Sequence, residues 1–188
     1  MTVVGRFGLA MAMLAAAVPA AADNRTWLSR ADASELRFTA YYEGEALPGQ
    51  FKDFRVTLRT DDASGEPVAL EVDVDTASAD MNDREINQEL AEPGWFDVRS
   101  FTSARFESES IAAADGAYLA NGRLRLKGIE HTLTLRFTFD TALPQAGIEG
   151  SARLSRLDWN IGVGEWSNDA SLSNRVDLSW RVSLAEAR

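Results

Sequence analysis

The most regular alternation of apolar and polar residues lies between Tyr118 and Phe139. Apolar residues occupy every second position from Leu124 to Leu126 and from Leu133 to Phe139, with arginine or threonine between them. Strict alternation is typical of a half-buried antiparallel strand. A turn predicted at Gly128–Glu130 would join the two strands into a hairpin. One face of this hairpin is therefore expected to be apolar and the other polar.

The same alternation recurs along most of the chain. It predicts further strands over residues 54–59, 68–75, 104–109, 147–159 and 175–184. Residues 26–28 and 34–41 predict either a first strand pair or one bent strand, and residues 43–49 and 61–67 have the composition of turns. The chain thus predicts about eight antiparallel strands with turn-rich links, which is the pattern of an all-β barrel or sandwich.

One helical insertion is expected where the alternation stops. Two apolar residues, Ile86 and Leu90, lie four positions apart and follow the capping candidates Asp80, Asn82 and Asp83. This pattern predicts a short amphipathic helix over residues 83–90. Trp95 and Phe96 come directly after it and are a candidate lid over one end of a barrel.

The composition argues against a nucleic-acid partner and excludes disulfide bonds. The 188 residues carry a formal net charge of −10, whereas a nucleic-acid partner would require a basic surface. The sequence has no cysteine, so disulfides cannot supply stability and the apolar core must do so.

Residues 1–22 have a different character from the rest. A positive charge at Arg6, an Ala-rich apolar run and small residues up to Ala22 predict a secretory signal peptide cleaved after Ala22. We expect the remaining domain, residues 23–188, to be periplasmic. No other segment has the length of a membrane-spanning helix, so we expect the mature chain not to span a membrane.

Four segments together resemble the YceI family of exported, lipocalin-like, polyisoprenoid-binding proteins. They are GQFKDF (residues 49–54), WFDVRSFTSARFESESI (95–111), GRLRLKGIEHTLTL (122–135) and RLDWNIGVGEW (156–166). The resemblance implies a lipocalin-like antiparallel barrel whose apolar tunnel holds an isoprenoid chain. The GVGEW segment is similar to members that accompany membrane cytochromes, which leaves a cytochrome partner open; the sequence also leaves a homodimer open. Trp95 stands where the family often has Phe.

The predicted lumen follows from strand parity and the aromatic segments. Its candidate ligand-binding residues are Phe38, Phe54, Val56, Val72, Trp95, Phe96, Phe106, Leu124, Leu126, Leu133, Leu135, Phe137, Leu154, Trp159 and Trp180. A barrel of this size either holds one small ligand or fills itself with side chains. Gly150 and Ala152 are small where a filled barrel would need bulk, and this favours a cavity.

Three residues are candidates for a polar head group. His131 is placed by parity at the turn end of the inward face, and Arg153 and Arg156 carry the guanidinium that suits phosphate oxygens. The alternatives are a turn residue for His131 and cross-strand surface pairs for the arginines. Trp159 and Trp166 bracket a Gly-rich loop and are expected to close one barrel end.

The function expected from these features is carriage or sequestration of an isoprenoid chain, of polyprenyl or quinone type, without catalysis. We expect no metal and no cofactor other than a bound isoprenoid lipid. The acidic residues of segment 73–85 lack the spacing and glycine of a calcium-binding EF-hand loop, and a catalytic nucleophile motif is absent. The alternative is a protein-docking accessory module of a membrane redox system, with a packed core and no ligand.

Overall fold

A computed structural model describes residues 24–141, 146–168 and 170–187. The strands are β1 (Asn24–Tyr42), β2 (Glu45–Phe51), β3 (Phe54–Asp61), β4 (Pro67–Asp75), β5 (Ala79–Asp80), β6 (Ser103–Ala114), β7 (Ala117–Leu126), β8 (Ile129–Asp140), β9 (Ala146–Ser155) and β10 (Arg175–Glu186). The α-helix is α1 (Arg84–Leu90), and 3₁₀ turns cover Thr76–Ser78, Arg156–Trp159 and Gly164–Ser167. The predicted signal peptide, residues 1–22, lies outside the described residues.

Eight of the strands close into an antiparallel barrel in the order β1-β3-β4-β6-β7-β8-β9-β10, and β10 pairs back onto β1. β2 and β5 add to the sheet beside the C-terminal half of β1. The predicted all-β barrel of about eight strands with a short helical insertion is therefore confirmed.

β1 is one bent strand, the second of the two predicted alternatives. Its first residues pair with β3 and its later residues pair with β2, while β10 follows it on the other side. The register shifts between Ser29 and Ser34, where the strand bends. The bend lets one long strand belong to the barrel wall and to the extension at one end.

The β7–β8 hairpin forms as predicted, but its turn is shorter and lies earlier. Leu126 pairs with Ile129, and the two residues between them, Lys127 and Gly128, have φ angles of 51° and 73°. Two positive φ angles are the geometry of the two-residue hairpin turn that matches the twist of the strands. Ile129 and Glu130, predicted as turn residues, belong to β8 instead.

Two other predicted boundaries are wrong. Residues 43–49 were expected to be a turn, but β2 begins at Glu45 and includes Pro48 and Gly49. Residues 147–159 were expected to be one strand, but β9 ends at Ser155 and a 3₁₀ turn follows. β2 was missed because Pro48 and Gly49 interrupt its alternation of apolar and polar residues. The end of β9 was missed because no glycine or proline separates the strand from the 3₁₀ turn that follows it.

The barrel has a packed end and an open end. At the packed end the side chains of Leu58, Leu70, Phe137, Ile148 and Val182 are almost completely buried. The open end carries β2, β5, α1 and the 3₁₀ turns at Arg156–Trp159 and Gly164–Ser167. We therefore expect a binding site at the open end, where α1 and the 3₁₀ turns replace regular strands.

α1 is fixed at the open end by its cap and by one buried residue. The Asp83 carboxylate accepts hydrogen bonds from the backbone N–H groups of Glu85 and Ile86, at 2.8 and 3.1 Å, which satisfies two of the free donors of the first turn. Leu90 in the last turn is buried. Within the part of the chain that the structure describes, no helix is both long and apolar enough to cross a membrane.

Candidate functional site

The open end encloses a cavity of about 570 Å³, which we call the upper chamber. Most of its wall is apolar and comes from strands, from α1 and from the 3₁₀ turns. Its apolar and aromatic lining includes Leu36, Phe38, Tyr42, Leu47, Phe51, Val74, Ile86, Leu90, Trp95, Phe96, Leu124, Leu126, Leu154, Trp159, Trp166, Leu172, Val176 and Leu178. A chamber of this size and composition has the character of a small-molecule binding site.

Aromatic side chains form much of the mouth of the upper chamber. The Phe51 ring lies 5.9 Å from the Phe96 ring, and the Trp166 ring lies 6.2 Å from Tyr42 and 6.4 Å from Trp95, between ring centroids. These contacts join the β1–β2 hairpin, the segment after α1 and the turn at Gly164–Ser167. The mouth is therefore built from three separate parts of the chain.

Three carboxylates also line the upper chamber: Glu85 and Glu89 on α1, and Glu165. Glu89 accepts a hydrogen bond of 2.8 Å from the indole N–H of Trp95. This bond ties the predicted lid residue Trp95 to α1. The polar part of the chamber is thus mainly acidic.

A second cavity of about 90 Å³, the lower chamber, lies deeper in the barrel. It shares wall residues with the upper chamber, among them Leu36, Val74 and Leu178. Beyond it the barrel is filled, and Trp27 packs edge-on against Phe139 at 5.8 Å between centroids. The lumen is therefore a blind space that opens at one end.

The structure brings fourteen of the fifteen predicted lumen residues to one chamber or the other. The upper chamber is lined by Phe38, Trp95, Phe96, Leu124, Leu126, Leu154 and Trp159, and the lower chamber by Phe54, Val56, Val72, Phe106, Leu124, Leu133, Leu135 and Trp180. Phe137 lines neither; it is fully buried against Tyr118 at the packed end. Contact of any of these residues with a ligand stays a prediction.

The small residues of β9 do not create the cavity as expected. A Cβ atom at Gly150 would overlap the ring of Trp180 and the backbone oxygen of Arg136. Gly150 therefore makes room for a tryptophan side chain, and neither Gly150 nor Ala152 lines a chamber.

Two of the predicted head-group residues lie outside the lumen. His131 is exposed, with its Nε2 atom 3.0 Å from the backbone oxygen of Asp158 and its ring edge-on to Trp159 at 5.2 Å. Arg153 is exposed and pairs with Asp177 at 3.1 Å. His131 shares the inward face with Leu124, its cross-strand partner, but it lies at the turn end and lines neither chamber. Arg153 forms the cross-strand surface pair that was its alternative.

Arg156 is buried and borders the upper chamber, but its guanidinium donates hydrogen bonds to backbone carbonyl oxygens. Its N–H groups donate to the carbonyl oxygens of Ser173 (3.0 Å), Ile161 (2.8 Å), Gly162 (2.7 Å), Trp166 (2.5 Å) and Leu172 (2.9 Å). A guanidinium has five N–H donors, and each of the five bonds has a separate carbonyl oxygen. Arg156 therefore holds the turns of the open end together and is not arranged to bind a phosphate.

Lys127 connects further segments of the open end. Its ammonium group donates to the backbone oxygens of Pro93 at 2.7 Å and Asn160 at 2.8 Å. Burial lowers the pKa of Lys127. The β7–β8 turn is thereby fixed to the segment that carries Trp95 and to the turn that carries Trp159.

Four acidic residues of segment 73–85 have structural partners. Asp73 pairs with Arg105 at 2.8 Å, and Asp75 and Asp83 cap the turn at Thr76–Ser78 and α1. Asp80 pairs with Lys52. Within the described residues, no group of three or more His, Cys, Asp or Glu side chains is arranged to hold a metal ion.

Several lining residues were missed by sequence reasoning. Leu47 lies in the part of β2 that was predicted as a turn, residues 43–49, and Phe51 ends the same strand, which the sequence did not predict. Leu172 lies between the last 3₁₀ turn and β10. Ile86 and Leu90 form the apolar face of the predicted helix, so their spacing already indicated that this face covers an apolar surface.

Comparison with known proteins agrees with this architecture. The family model described as YceI-like domain matches residues 27–184. A UPF0312 protein of Pseudomonas fluorescens is 31% identical over 144 residues, which are 70% of this chain and 71% of that protein.

Solved structures share the fold. Burkholderia cenocepacia BcnA is 25% identical with a TM-score of 0.78, covering 84% of this chain and 99% of that one. A polyisoprenoid binding domain from Saccharophagus degradans, implicated in plant cell wall breakdown, is 14% identical with a TM-score of 0.63, covering 86% of this chain and 98% of that one; at this identity the likeness concerns the fold alone. From the barrel, its blind lumen and the match over residues 27–184, the chain belongs to the YceI-like family.

Proposed function

We propose that the protein binds the tail of an isoprenoid lipid in the upper chamber and carries or sequesters it without catalysing a reaction. The observation that carries the proposal is a blind apolar cavity of about 570 Å³ with an aromatic mouth. The name of the Saccharophagus degradans domain, a polyisoprenoid binding domain of the same fold, supports the class of lipid.

The volume suits a chain of moderate length. A protein cavity of about 150 Å³ holds one benzene molecule, so about 570 Å³ holds roughly 23 carbon atoms, or four to five isoprene units. Each buried methylene group contributes about 0.8 kcal/mol. A tail of this length therefore offers enough transfer free energy to exceed the costs of association.

The charges around the chamber favour an uncharged head group. Glu85, Glu89 and Glu165 would repel a phosphate at the mouth, and the guanidinium of Arg156 is bonded to backbone carbonyls. We therefore expect geranylgeraniol to bind more tightly than geranylgeranyl phosphate. This preference fits a quinone-type or alcohol head group better than a polyprenyl phosphate.

The charged groups that border the chamber support binding rather than catalysis. General acid–base catalysis needs a group poised to exchange a proton with the substrate. Glu89 accepts from Trp95, and Arg156 holds backbone carbonyls. These side chains shape the mouth and leave the wall mostly apolar.

The proposal includes export of the protein to the periplasm. The sequence of residues 1–22 predicts a signal peptide, and an exported protein that shields an apolar tail from water would serve carriage or storage in the periplasm.

Native mass spectrometry of the mature protein purified from a bacterial periplasm tests this function. We expect a stoichiometric extra mass that denaturation releases as an isoprenoid lipid. Val176→Trp, which places a large ring in the upper chamber, should lose that mass. Ser179→Trp on the exposed face of the same strand is the matched control and should keep it. Bare wild-type protein that also fails to take up added ubiquinone would contradict the proposal.

The docking of a protein partner at the mouth is the second candidate function. Tyr42 and Ile86 are large apolar residues at the mouth with 38% and 39% of their surface exposed, and exposed apolar patches are typical of interaction sites. A membrane cytochrome is one such partner. Bare wild-type protein that also fails to take up added ubiquinone would favour this function over lipid binding.

A further inference from the structure

The upper chamber ends at a layer of large side chains, and Trp180 is the largest of them. Leu36 and Leu178 line both chambers, whereas Trp180, one position further along the inward face of β10, lines the lower chamber alone. The indole therefore lies just below the upper chamber, where the end of an inserted chain would arrive.

The position of the indole is fixed from two sides. On one side β9 carries Gly150, where even a Cβ atom would overlap the Trp180 ring. On the other side Trp180 faces Leu36 of β1 across the strand pair. Because the ring lies against backbone, it cannot move toward β9 to lengthen the chamber.

Below this layer the barrel has little space left. The lower chamber measures about 90 Å³, which by the same benzene comparison holds roughly four carbon atoms. Ile148 and Val182 form part of its wall and, like Phe137, are almost completely buried. A longer chain can therefore only extend outward through the mouth.

We infer that Trp180 is the floor of the upper chamber and sets the length of lipid tail that the protein encloses. This inference rests on the proposed function and adds a specificity to it. The enclosed length is about four to five isoprene units, from a volume of about 570 Å³. Isoprene units beyond that number remain in water or against another surface.

Affinity should therefore rise with chain length and then level off. A buried methylene contributes about fourfold in affinity, so each isoprene unit that enters the chamber should tighten binding by at least about tenfold. Units beyond the fifth should add less than about threefold, because they stay outside the apolar wall.

The experiment is a competition assay in which prenols displace tritiated geranylgeraniol from the mature protein. The series is farnesol, geranylgeraniol, geranylfarnesol, hexaprenol and octaprenol, with three, four, five, six and eight isoprene units. We expect the affinity of the wild-type protein to level off between four and five units.

Two variants should move the plateau in opposite directions. Trp180→Ala removes the indole and should shift the plateau to a tail longer by about one to two units, from the ring volume vacated. Ala104→Leu adds bulk at a residue that lines both chambers and should shift it to a shorter tail by about one unit. If one variant does not fold, the other still tests the floor.

Trp166→Ala is the matched control, because it removes the same side chain from the mouth. It should weaken all prenols by a similar factor and leave the plateau in place. Affinity that keeps rising through eight units in the wild type, or a plateau unmoved in the folded variants, would overturn the inference and leave lipid binding intact. Failure of every prenol to bind would instead contradict the proposed function.

Discussion

The two ends of the barrel use the same strand alternation to different effect, as β10 shows. Near the open end its inward residues Val176 and Leu178 are half-buried and border the upper chamber. Near the packed end Val182 and Leu184 are 2% and 3% exposed and belong to the core. Both pairs consist of one valine and one leucine. Alternation therefore decides which side chains point inward, and the residues that the other elements contribute decide whether the space beside them is filled or empty.

The two ends also differ in the groups that form hydrogen bonds with their backbone carbonyl oxygens. At the packed end, strand ladders provide most of the hydrogen bonds. At the open end, Arg156 and Lys127 donate to the carbonyl oxygens of turns that have no ladder partner. These two cations therefore tie together the irregular segments that form the wall of the cavity.

Leu135→Arg should give the largest effect. Leu135 is 7% exposed and lines the lower chamber, so the variant places an unpaired charge in an apolar space at a cost of several kcal/mol. We expect loss of the folded barrel by circular dichroism. Thr134→Arg, on the exposed face of the same strand, should change the free energy of unfolding by less than about 1 kcal/mol. Equal, mild effects of both would show that the inward and outward faces are assigned wrongly.

Phe137→Ala and Phe51→Ala compare the two ends directly. Phe137 is fully buried at the packed end, and its truncation should lower the free energy of unfolding by about 3–5 kcal/mol in urea denaturation. Phe51 borders a space that is already empty, so its truncation should cost about 1 kcal/mol while weakening lipid binding. A larger loss of stability from Phe51→Ala would contradict the distinction between the ends.

Asp83→Ala removes the cap of α1 at the open end. The two hydrogen bonds to Glu85 and Ile86 are lost, which should lower stability by about 0.5–2 kcal/mol. Because α1 lines the mouth, we also expect faster dissociation of bound geranylgeraniol. Asp83→Asn keeps a good cap and should restore both values; failure of Asn to do so would assign the effect to charge.

Acid should loosen the open end locally, and this is the smallest expected effect. Hydrogen bonds from Lys52, Asn87 and the Asn82 backbone lower the pKa of Asp80 from 3.8 to about 2. A lowered pKa stabilises the fold above the ordinary value, and the contribution is lost as the pH falls from 3.8 to about 2. After correction for intrinsic rates, amide exchange in α1 should accelerate over this range while β8 stays protected.

Asp80→Asn is the control for this acid effect, since it removes the titrating group. In this variant the protection of α1 should no longer change over the same pH range. An unchanged acid response in Asp80→Asn would assign the loosening to another carboxylate.

The sequence predicts the barrel better than its mouth. Strict alternation identified the inward residues of β8 and β10, because one side of each strand faces a common lumen. β2 was not predicted because Pro48 and Gly49 interrupt its alternation of apolar and polar residues. Phe51, which lies on β2, was therefore not predicted to line the lumen. The role of Arg156 was equally hidden, since its five carbonyl partners come from a folded loop and carry no sequence pattern.

His131 and Gly150 show that strand parity and residue size at one position do not by themselves locate a cavity. His131 has the inward parity of its cross-strand partner Leu124, but it lies beside the turn, is exposed and lines neither chamber. Gly150 is small, but a tryptophan from the neighbouring strand occupies the space beside it. Residue size at one position indicates a cavity only when the neighbouring strands are also known.

Methyl NMR of the mature protein, titrated with geranylgeraniol, tests most directly the claim that ligand enters the open end alone. We predict that the methyl signals of Leu47, Leu90 and Val176 shift on binding, while those of Leu58 and Leu184, which are buried at the packed end and line neither chamber, keep their positions. Equal shifts at both ends, or shifts confined to the packed end, would contradict the account of a blind lumen that opens at one mouth.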